Sequence, residues 1–331
     1  MTPKSEKKSD QKPESIKPAI NVAPSPHIVD GSFTTRRMMY DVLIAIAPVI
    51  CVSVYLFEMY AVRQILICLA SCLVAEALFI RIRGKSITLM DGSAAVTGVI
   101  LALSLPGTAP WYAGVIASVV AIGIGKIIFG GLGMNIFNPA MVGRAFVMIS
   151  FAGVMGAAAY EHAGDAVNII TQATPLNAFK QSGIVSPLTD MFWGTTNGSL
   201  GETSAIACII GGLYLCIRRT ASWEIPFGVI TMMVLIAGIK DIAGPFSGQL
   251  VLHHLLGGAA LFGAFFIATD PVTSPLTRKG KLIFGAGVGA LIMILRLFSG
   301  YPEGVMFAVL LMNALTPLIN RWTIPTPLGE E

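Results

Sequence analysis

Ten apolar stretches, most of them near the length of a membrane-crossing helix, fill this chain between residues 38 and 320. About twenty apolar residues cross the hydrocarbon layer as a helix. On that criterion the candidate spans are 38–57, 62–81, 93–105, 110–130, 137–158, 203–217, 222–239, 250–268, 281–299 and 302–320. The composition agrees: 54% of residues are hydrophobic and only 12% are charged, outside the usual range of soluble proteins. The net charge of +4 is therefore no sign of nucleic-acid binding. Lysine and arginine cluster on alternate connections. The set Arg36, Arg37, Arg81, Arg83, Lys85, Lys126, Arg218, Arg219, Arg278, Lys279, Lys281 and Arg321 falls on one side, and Arg63, Lys180 and Lys240 on the other. The positive-inside rule then puts both termini in the cytoplasm.

The spans are written twice. Gly92-Ser93-Ala94-Ala95-Val96-Thr97-Gly98, followed by Pro106, matches Gly257-Gly258-Ala259-Ala260-Leu261-Phe262-Gly263, followed by Pro271, about 165 positions later. An odd number of spans per copy forces the copies to enter the bilayer in opposite senses, the inverted-repeat plan of many membrane cores. The expected fold is thus an all-α polytopic membrane protein of about ten transmembrane helices, arranged as two inverted five-helix repeats. Residues 1–30 read as a disordered cytoplasmic tail, 31–158 as the first repeat and 159–202 as an extracytoplasmic loop. Residues 203–320 form the second repeat and 321–331 a cytoplasmic tail. The amino-terminal tail has no apolar stretch ahead of a cleavage site, so the first span is expected to direct insertion.

Several clusters could carry chemistry. In the 159–202 loop, Asn168-Ile169-Ile170-Thr171-Gln172-Ala173-Thr174-Pro175 exposes the Thr174 hydroxyl to a modifying enzyme, or is simply a polar turn. Gly130-Gly131-Leu132-Gly133-Met134-Asn135-Ile136-Phe137-Asn138-Pro139-Ala140 joins spans four and five. Asn135 and Asn138 there offer both donors and acceptors, as the edge of a heteroaromatic ring requires; alternatively Asn138 caps span five. Span eight ends in Ala268-Thr269-Asp270-Pro271-Val272-Thr273, where Asp270 serves an ion or cofactor path, or faces water beside Arg278 and Lys279. Glu202-Thr203-Ser204 reads as a helix start with capping groups. Arg144 and Arg296 are expected to snorkel from span ends. Glu76 lies deep with no evident partner. The five cysteines (Cys51, Cys68, Cys72, Cys208 and Cys216) sit within apolar spans, without a CxxC or Cys/His ladder, so no metal site is expected. His253 and His254 are adjacent and suit a bis-imidazole haem site poorly.

Taken together, Gly-Gly-Leu-Gly-x-Asn-x-Phe-Asn-Pro-Ala (130–140), Thr-Asp-Pro-Val-Thr (269–273), Leu-Ile-Phe-Gly (282–285) and Gly-Tyr-Pro-x-Gly (300–304) resemble one family. It is that of the D subunit of the Rnf electron-transport complex and the B subunit of the sodium-pumping NADH:quinone reductase. The short polar tail is more similar to the Rnf member. The resemblance implies a covalent FMN joined through its phosphate to a threonine, in a pattern like Asp-x-x-Ser/Thr-x-Ala-Thr. Thr171-Gln172-Ala173-Thr174 matches it and makes Thr174 the implied attachment residue; Asn168 stands where the acid is found. It also implies a second, noncovalent flavin (riboflavin being one candidate) near Asn135 and Asn138, with Asp270 and Thr273 as neighbours. No residue is assigned a catalytic role. The implied partners are further Rnf subunits carrying flavins and iron–sulfur clusters, a flavin transferase for maturation, and membrane lipid. The implied location is a bacterial inner membrane, with the flavin loop extracytoplasmic. Electron passage coupled to Na⁺ or H⁺ movement, within a ferredoxin:NAD⁺ oxidoreductase, is the implied function. The competing readings are a cofactor-free secondary transporter or channel built on the same repeat, a purely structural scaffold for redox subunits, and a closer kinship to the quinone-reductase subunit.

Overall fold

The computed structural model describes residues 34–84, 89–155, 159–163, 166–170, 174–182, 186–196, 198–202, 204–242, 249–300 and 303–325. The expectations for the 1–30 and 326–331 tails, Lys85, the Thr171–Ala173 stretch, Thr203 and Tyr301-Pro302 lie outside those residues. The described residues from 35 onward form one compact unit.

Helix α1 (Thr35–Ile82) has 48 residues. Unbroken it would be about 70 Å long, more than twice the ~30 Å hydrocarbon layer. Glu58, at φ 46° and ψ −128°, divides it into two spans, close to the expected 38–57 and 62–81. Next come α2 (Ser93–Ser104) and α3 (Trp111–Ile122), which runs on into a π-helical turn, Gly123–Ile127. Asn138 caps α4 (Pro139–Ser150): its side chain accepts from Met141 N–H, and Pro139 takes the first turn, where no N–H is needed. The expected span 137–158 is thereby shortened. Phe151 leaves helical geometry and a 3₁₀ turn follows at Ala152–Met155.

The connection between α4 and α7 adds a small departure from a purely helical chain. β1 (Ala159–Ala163) pairs antiparallel with β2 (Ala166–Ile170), Ala159 facing Ile170 and Ala163 facing Ala166. Two short helices follow, α5 (Pro175–Ser182) and α6 (Leu188–Trp193). The second half comprises α7 (Ala205–Ile217), α8 (Glu224–Ile242), α9 (Gln249–Leu256), α10 (Ala260–Phe262, continuing as a π-helical turn Gly263–Ile267), α11 (Arg278–Phe298) and α12 (Val305–Thr323). The expected eighth span is broken: its two pieces meet at 59° across Gly257-Gly258.

One packing pattern occurs twice. The second half of α1 packs on α2 and α3, and α3 on α4; α8 packs on α9 and α11, and α11 on α12. The first half of α1 meets its counterpart α7, and α4 meets its counterpart α12, as halves related by a twofold axis must. The short elements open alike, with left-handed glycines Gly92 (φ 78°) before α2 and Gly258 (φ 66°) before α10. α2 is only about 18 Å long, too short to cross alone. It lies in the interior with the 259–268 segment, whose residues are all buried. Large apolar side chains such as Tyr55, Val74, Ile239 and Phe298 point outward instead, the surface that lipid covers in a polytopic membrane protein. Close approach is built from small residues: a Cβ on Gly285 or Gly289 would lie 2.4 Å from Ile225 O or 2.5 Å from Val229 O, so α8 and α11 touch backbone to backbone.

Candidate functional site

Two cavities lie at opposite ends of α2. The larger, of about 70 Å³, is bounded by the start of α1 (Met38, Met39, Val42), the first turns of α2 and α4, the end of α7 and the Phe266–Val272 segment. The walls are mostly apolar, and the polar groups arrive from separate elements: Asn135, Asn138, Lys126, Ser93, Thr97 and Asp270. Asn135, Asn138 and Asp270, which the sequence placed in two motifs some 130 residues apart, therefore share one chamber. Thr273 stands behind it, donating to Asp270 Oδ2 (3.2 Å), while Val272 N–H donates to Oδ1 (3.2 Å).

Half-buried Asp270 is thus neither free in water nor paired with Arg278. Burial pushes its carboxyl above the usual range, against the bonds from Val272 and Thr273, which lower it. Asn138 is partly committed to structure. Besides capping α4, its Nδ2 donates to Ile267 O (3.3 Å), the last carbonyl of the π-helical turn, and its backbone N–H donates to Asn313 Oδ1 (3.1 Å). One side-chain N–H and one lone pair are left over for a ligand. Asn135 Nδ2 reaches Phe137 O (3.2 Å).

Lys126 corrects an expectation. It was counted among the inner-face positive charges, yet its side chain is 2% exposed and pairs with Glu76, which the sequence left without a partner. Lys126 Nζ also donates to Ser93 Oγ. The π-helical turn Gly123–Ile127 sets this lysine against the cavity wall; such single turns recur at functional sites. Two opposite charges deep in neighbouring apolar spans were the only signal available beforehand. Asp41 was missed for the same reason: it is buried and accepts from Tyr214 (3.4 Å), Arg218 (3.2 Å) and Thr220 (2.9 Å), tying α1 to the end of α7.

The smaller cavity, of about 10 Å³, is lined by Thr174, Glu202, Gly257, Gly258 and Glu303 among others. Thr174 stands at the start of α5, where its carbonyl accepts from Ala178 N–H (2.8 Å). Next to the cavity, Arg144 lies 3.2 Å from Glu202 and 3.0 Å from Glu303. Arg296 donates to the carbonyls of His254 and Gly257. Neither arginine snorkels. Both are buried, because the carboxylates and the open carbonyls at the end of α9 satisfy them where they lie. Glu202 is not the cap of α7 either. Ser204 does that, accepting from Ala207 N–H (3.4 Å), which frees the glutamate for Arg144. The cavity ends are joined to α2 through Gly201 N–H to Leu103 O (2.7 Å) and Leu200 N–H to Leu105 O (3.2 Å). Among the described residues no group of three or more His, Cys, Asp or Glu is placed to hold a metal ion.

The model of the NQR2, RnfD, RnfE family matches residues 21–329. The chain is 42% identical to the D subunit of the Na⁺-translocating ferredoxin:NAD⁺ oxidoreductase complex of Acetobacterium woodii, over 92% of this chain and 93% of that one. It is 40% identical to the D subunit of the proton-translocating ferredoxin:NAD⁺ oxidoreductase complex of Clostridium ljungdahlii, over 94% and 97%. With the D subunit of the ion-translocating oxidoreductase complex of Escherichia coli strain SE11 it shares 37% identity over 94% and 99%. With a match along almost its whole length and relatives at this identity, the chain belongs to the NQR2, RnfD, RnfE family of membrane proteins.

Proposed function

We propose that this chain is the flavin-carrying membrane subunit of a ferredoxin:NAD⁺ oxidoreductase complex that couples electron transfer to the movement of Na⁺ or H⁺. Relatives of almost equal similarity are named for different ions, so the shared scaffold serves either. The chain has no dinucleotide fingerprint, and the substrate sites fall to partner subunits.

The carrying observation is where Thr174 sits. It opens an eight-residue helix on the wall of a small cavity next to buried guanidinium groups. A phosphate esterified to Thr174 would meet the N–H groups of that first turn and the positive end of its dipole. At about 10 Å³ the closed cavity has room for about one water, so the phosphate and ring of an FMN on Thr174 would lie outside it, against its wall. The larger cavity suits a second, noncovalent flavin. Its apolar walls would flank the ring, Asn135 and Asn138 would offer amide edges, and Lys126 would place a cation at one side. When bound, flavins supply the redox chemistry, and the chain's own residues fix their positions and surroundings. The larger cavity gathers the element ends that the charge pattern assigns to the cytoplasm, and the Thr174 cavity gathers those assigned to the outside. Both termini cytoplasmic, in a bacterial inner membrane, is the topology this supports. The length of α2, about 18 Å, separates the two cavities, which leaves intermediate carriers to partner subunits.

In-gel flavin fluorescence of the denatured protein tests the first site: wild type should glow and Thr174→Ala should not. Fluorescence that survives the substitution refutes the assignment. Asn135→Ala should lower noncovalent flavin in the native protein while the covalent band persists; unchanged content refutes the second site. A cofactor-free transporter or scaffold predicts no flavin in either measurement.

A further inference from the structure

Four ionisable side chains from four elements meet beside the Thr174 cavity: Arg144 of α4, Glu202 ahead of α7, Arg296 of α11 and Glu303 ahead of α12. Arg144 bridges the two carboxyl groups at 3.2 and 3.0 Å. A Cβ on Gly258 would lie 2.8 Å from Glu303 Oε1 and 3.2 Å from Arg296 Nη2, so glutamate and arginine close on one point of the cavity wall. The neighbouring titratable groups are the buried Cys208 thiol, which donates to Gly201 O (3.6 Å), and the buried His254, whose carbonyl Arg296 binds.

Hydrogen-bond accounting leaves three gaps in this cluster, the Nε donors of Arg144 and Arg296 and one acceptor of Glu303. Glu303 Oε2 is taken by Arg144, but its Oε1 is buried and has no donor. Buried acceptors are rarely left so. Two ionised carboxylates side by side in a low-dielectric interior also repel each other. One proton on Glu202 removes the repulsion and supplies the missing donor. Burial and the adjacent Glu303 both push the Glu202 carboxyl well above the usual range. For Glu303, burial acts in the same direction, but Glu202 and Arg144 outweigh it and hold that group down. Two guanidiniums offset two ionised carboxylates, so charge balance by itself calls for no proton; a phosphodiester on Thr174 would add a negative charge that protonation of Glu202 would offset.

We propose that Glu202 and Glu303 form a proton-binding site, one proton shared between the two carboxyl groups, whose occupancy follows the negative charge held in the Thr174 cavity. The shared proton stands on the buried cluster alone; its dependence on cavity charge rests on Thr174 carrying FMN. On release, the proton passes to water and leaves both carboxylates against Arg144 and Arg296. More negative charge in the cavity draws it back. The subunit would therefore bind and release a proton at the end of the fold where the cofactor is tethered.

Infrared spectroscopy of the full-length protein in detergent tests this through the C=O stretch of a protonated carboxylic acid. The wild type should show such a band near neutral pH, shifting in heavy water, and Glu202→Gln should lack it. A wild type without the band, or a band unchanged in Glu202→Gln, overturns the site. Should Glu202→Gln fail to accumulate, Glu202→Asp must move the band; an unmoved band there also overturns it. In Thr174→Ala the midpoint of the band should fall by about one pH unit, a tenfold loss of proton affinity. An unchanged midpoint, in a variant shown by fluorescence to have lost its flavin, overturns the link to cavity charge. Fluorescence persisting in that variant would refute Thr174 as the tether, and the Glu202 band would still decide separately whether the proton is shared.

Discussion

Removing Glu76 alone from the Lys126–Glu76 pair should destabilise the protein far more than removing both. Each side chain is 2% exposed, and Glu76 Oε2 has no hydrogen-bond partner. Glu76→Gln keeps the shape but leaves the ammonium with little beyond the Ser93 hydroxyl, itself already engaged with Asp91 Oδ1 at 2.6 Å. Stranding one charge of a buried pair costs about 3–5 kcal/mol. At about 2 °C per kcal/mol for a chain of this size, the melting temperature should fall by about 8 °C. Lys126→Met costs less, because the remaining carboxyl can take up a proton. The double variant Glu76→Gln/Lys126→Met buries no net charge and should recover to within about 1–2 kcal/mol of wild type. Thermal unfolding of the four detergent-purified proteins completes the cycle. If the double variant loses the sum of the two single losses, the residues are uncoupled and the buried-pair reasoning is wrong. Riboflavin binding by the same proteins reports separately on Lys126 as a wall of the larger cavity.

Gly285→Leu should lower stability by about 1–3 kcal/mol or more, because the new side chain would start 2.4 Å from the Ile225 carbonyl. Gly238→Leu, which meets nothing within 4 Å, should leave the melting temperature unchanged, and equal losses would contradict the close α8–α11 contact. Asp270 should make stability fall with rising pH. Its folded-state pKa is raised, so its contribution is present below the ordinary aspartate value and is lost as pH rises through the raised one. The melting curve of Asp270→Asn, compared with wild type from acid to neutral pH, should lack that component; parallel curves would count against it. Glu58→Gly should stabilise by about 1 kcal/mol by relieving the positive φ at the break in α1, whereas Glu58→Ala should not. Equal melting temperatures for the two would mean that the turn carries no strain.

Much of the scaffold was legible because it follows from local pattern. Apolar runs of fixed length, the break near residue 58 and the glycines before α2 and α10 all announce themselves along the chain. The Asn138-Pro139 cap does so too, for each is a property of a few adjacent residues. The site was legible only in outline. Asn135, Asn138, Asp270 and Thr174 belong to motifs that could be picked out. That three of them share one chamber and the fourth lies about a helix length away could not be read from spacing. Charge burial was misjudged for a related reason. A lone arginine near the end of an apolar run resembles a snorkelling one until its partner is in view.

By itself the sequence determined that this chain is a many-spanned helical membrane protein, written twice, of the NQR2, RnfD, RnfE family. Span length and periodicity are one-dimensional quantities, set by bilayer thickness and the helical rise. Only the tertiary structure decided which charges neutralise one another. Lys126 finds Glu76 from 50 positions away, and Arg144 finds Glu202 from 58 and Glu303 from 159. Helix packing makes those pairings, and a low-dielectric interior requires them, because a buried charge is tolerable only where another element delivers its opposite.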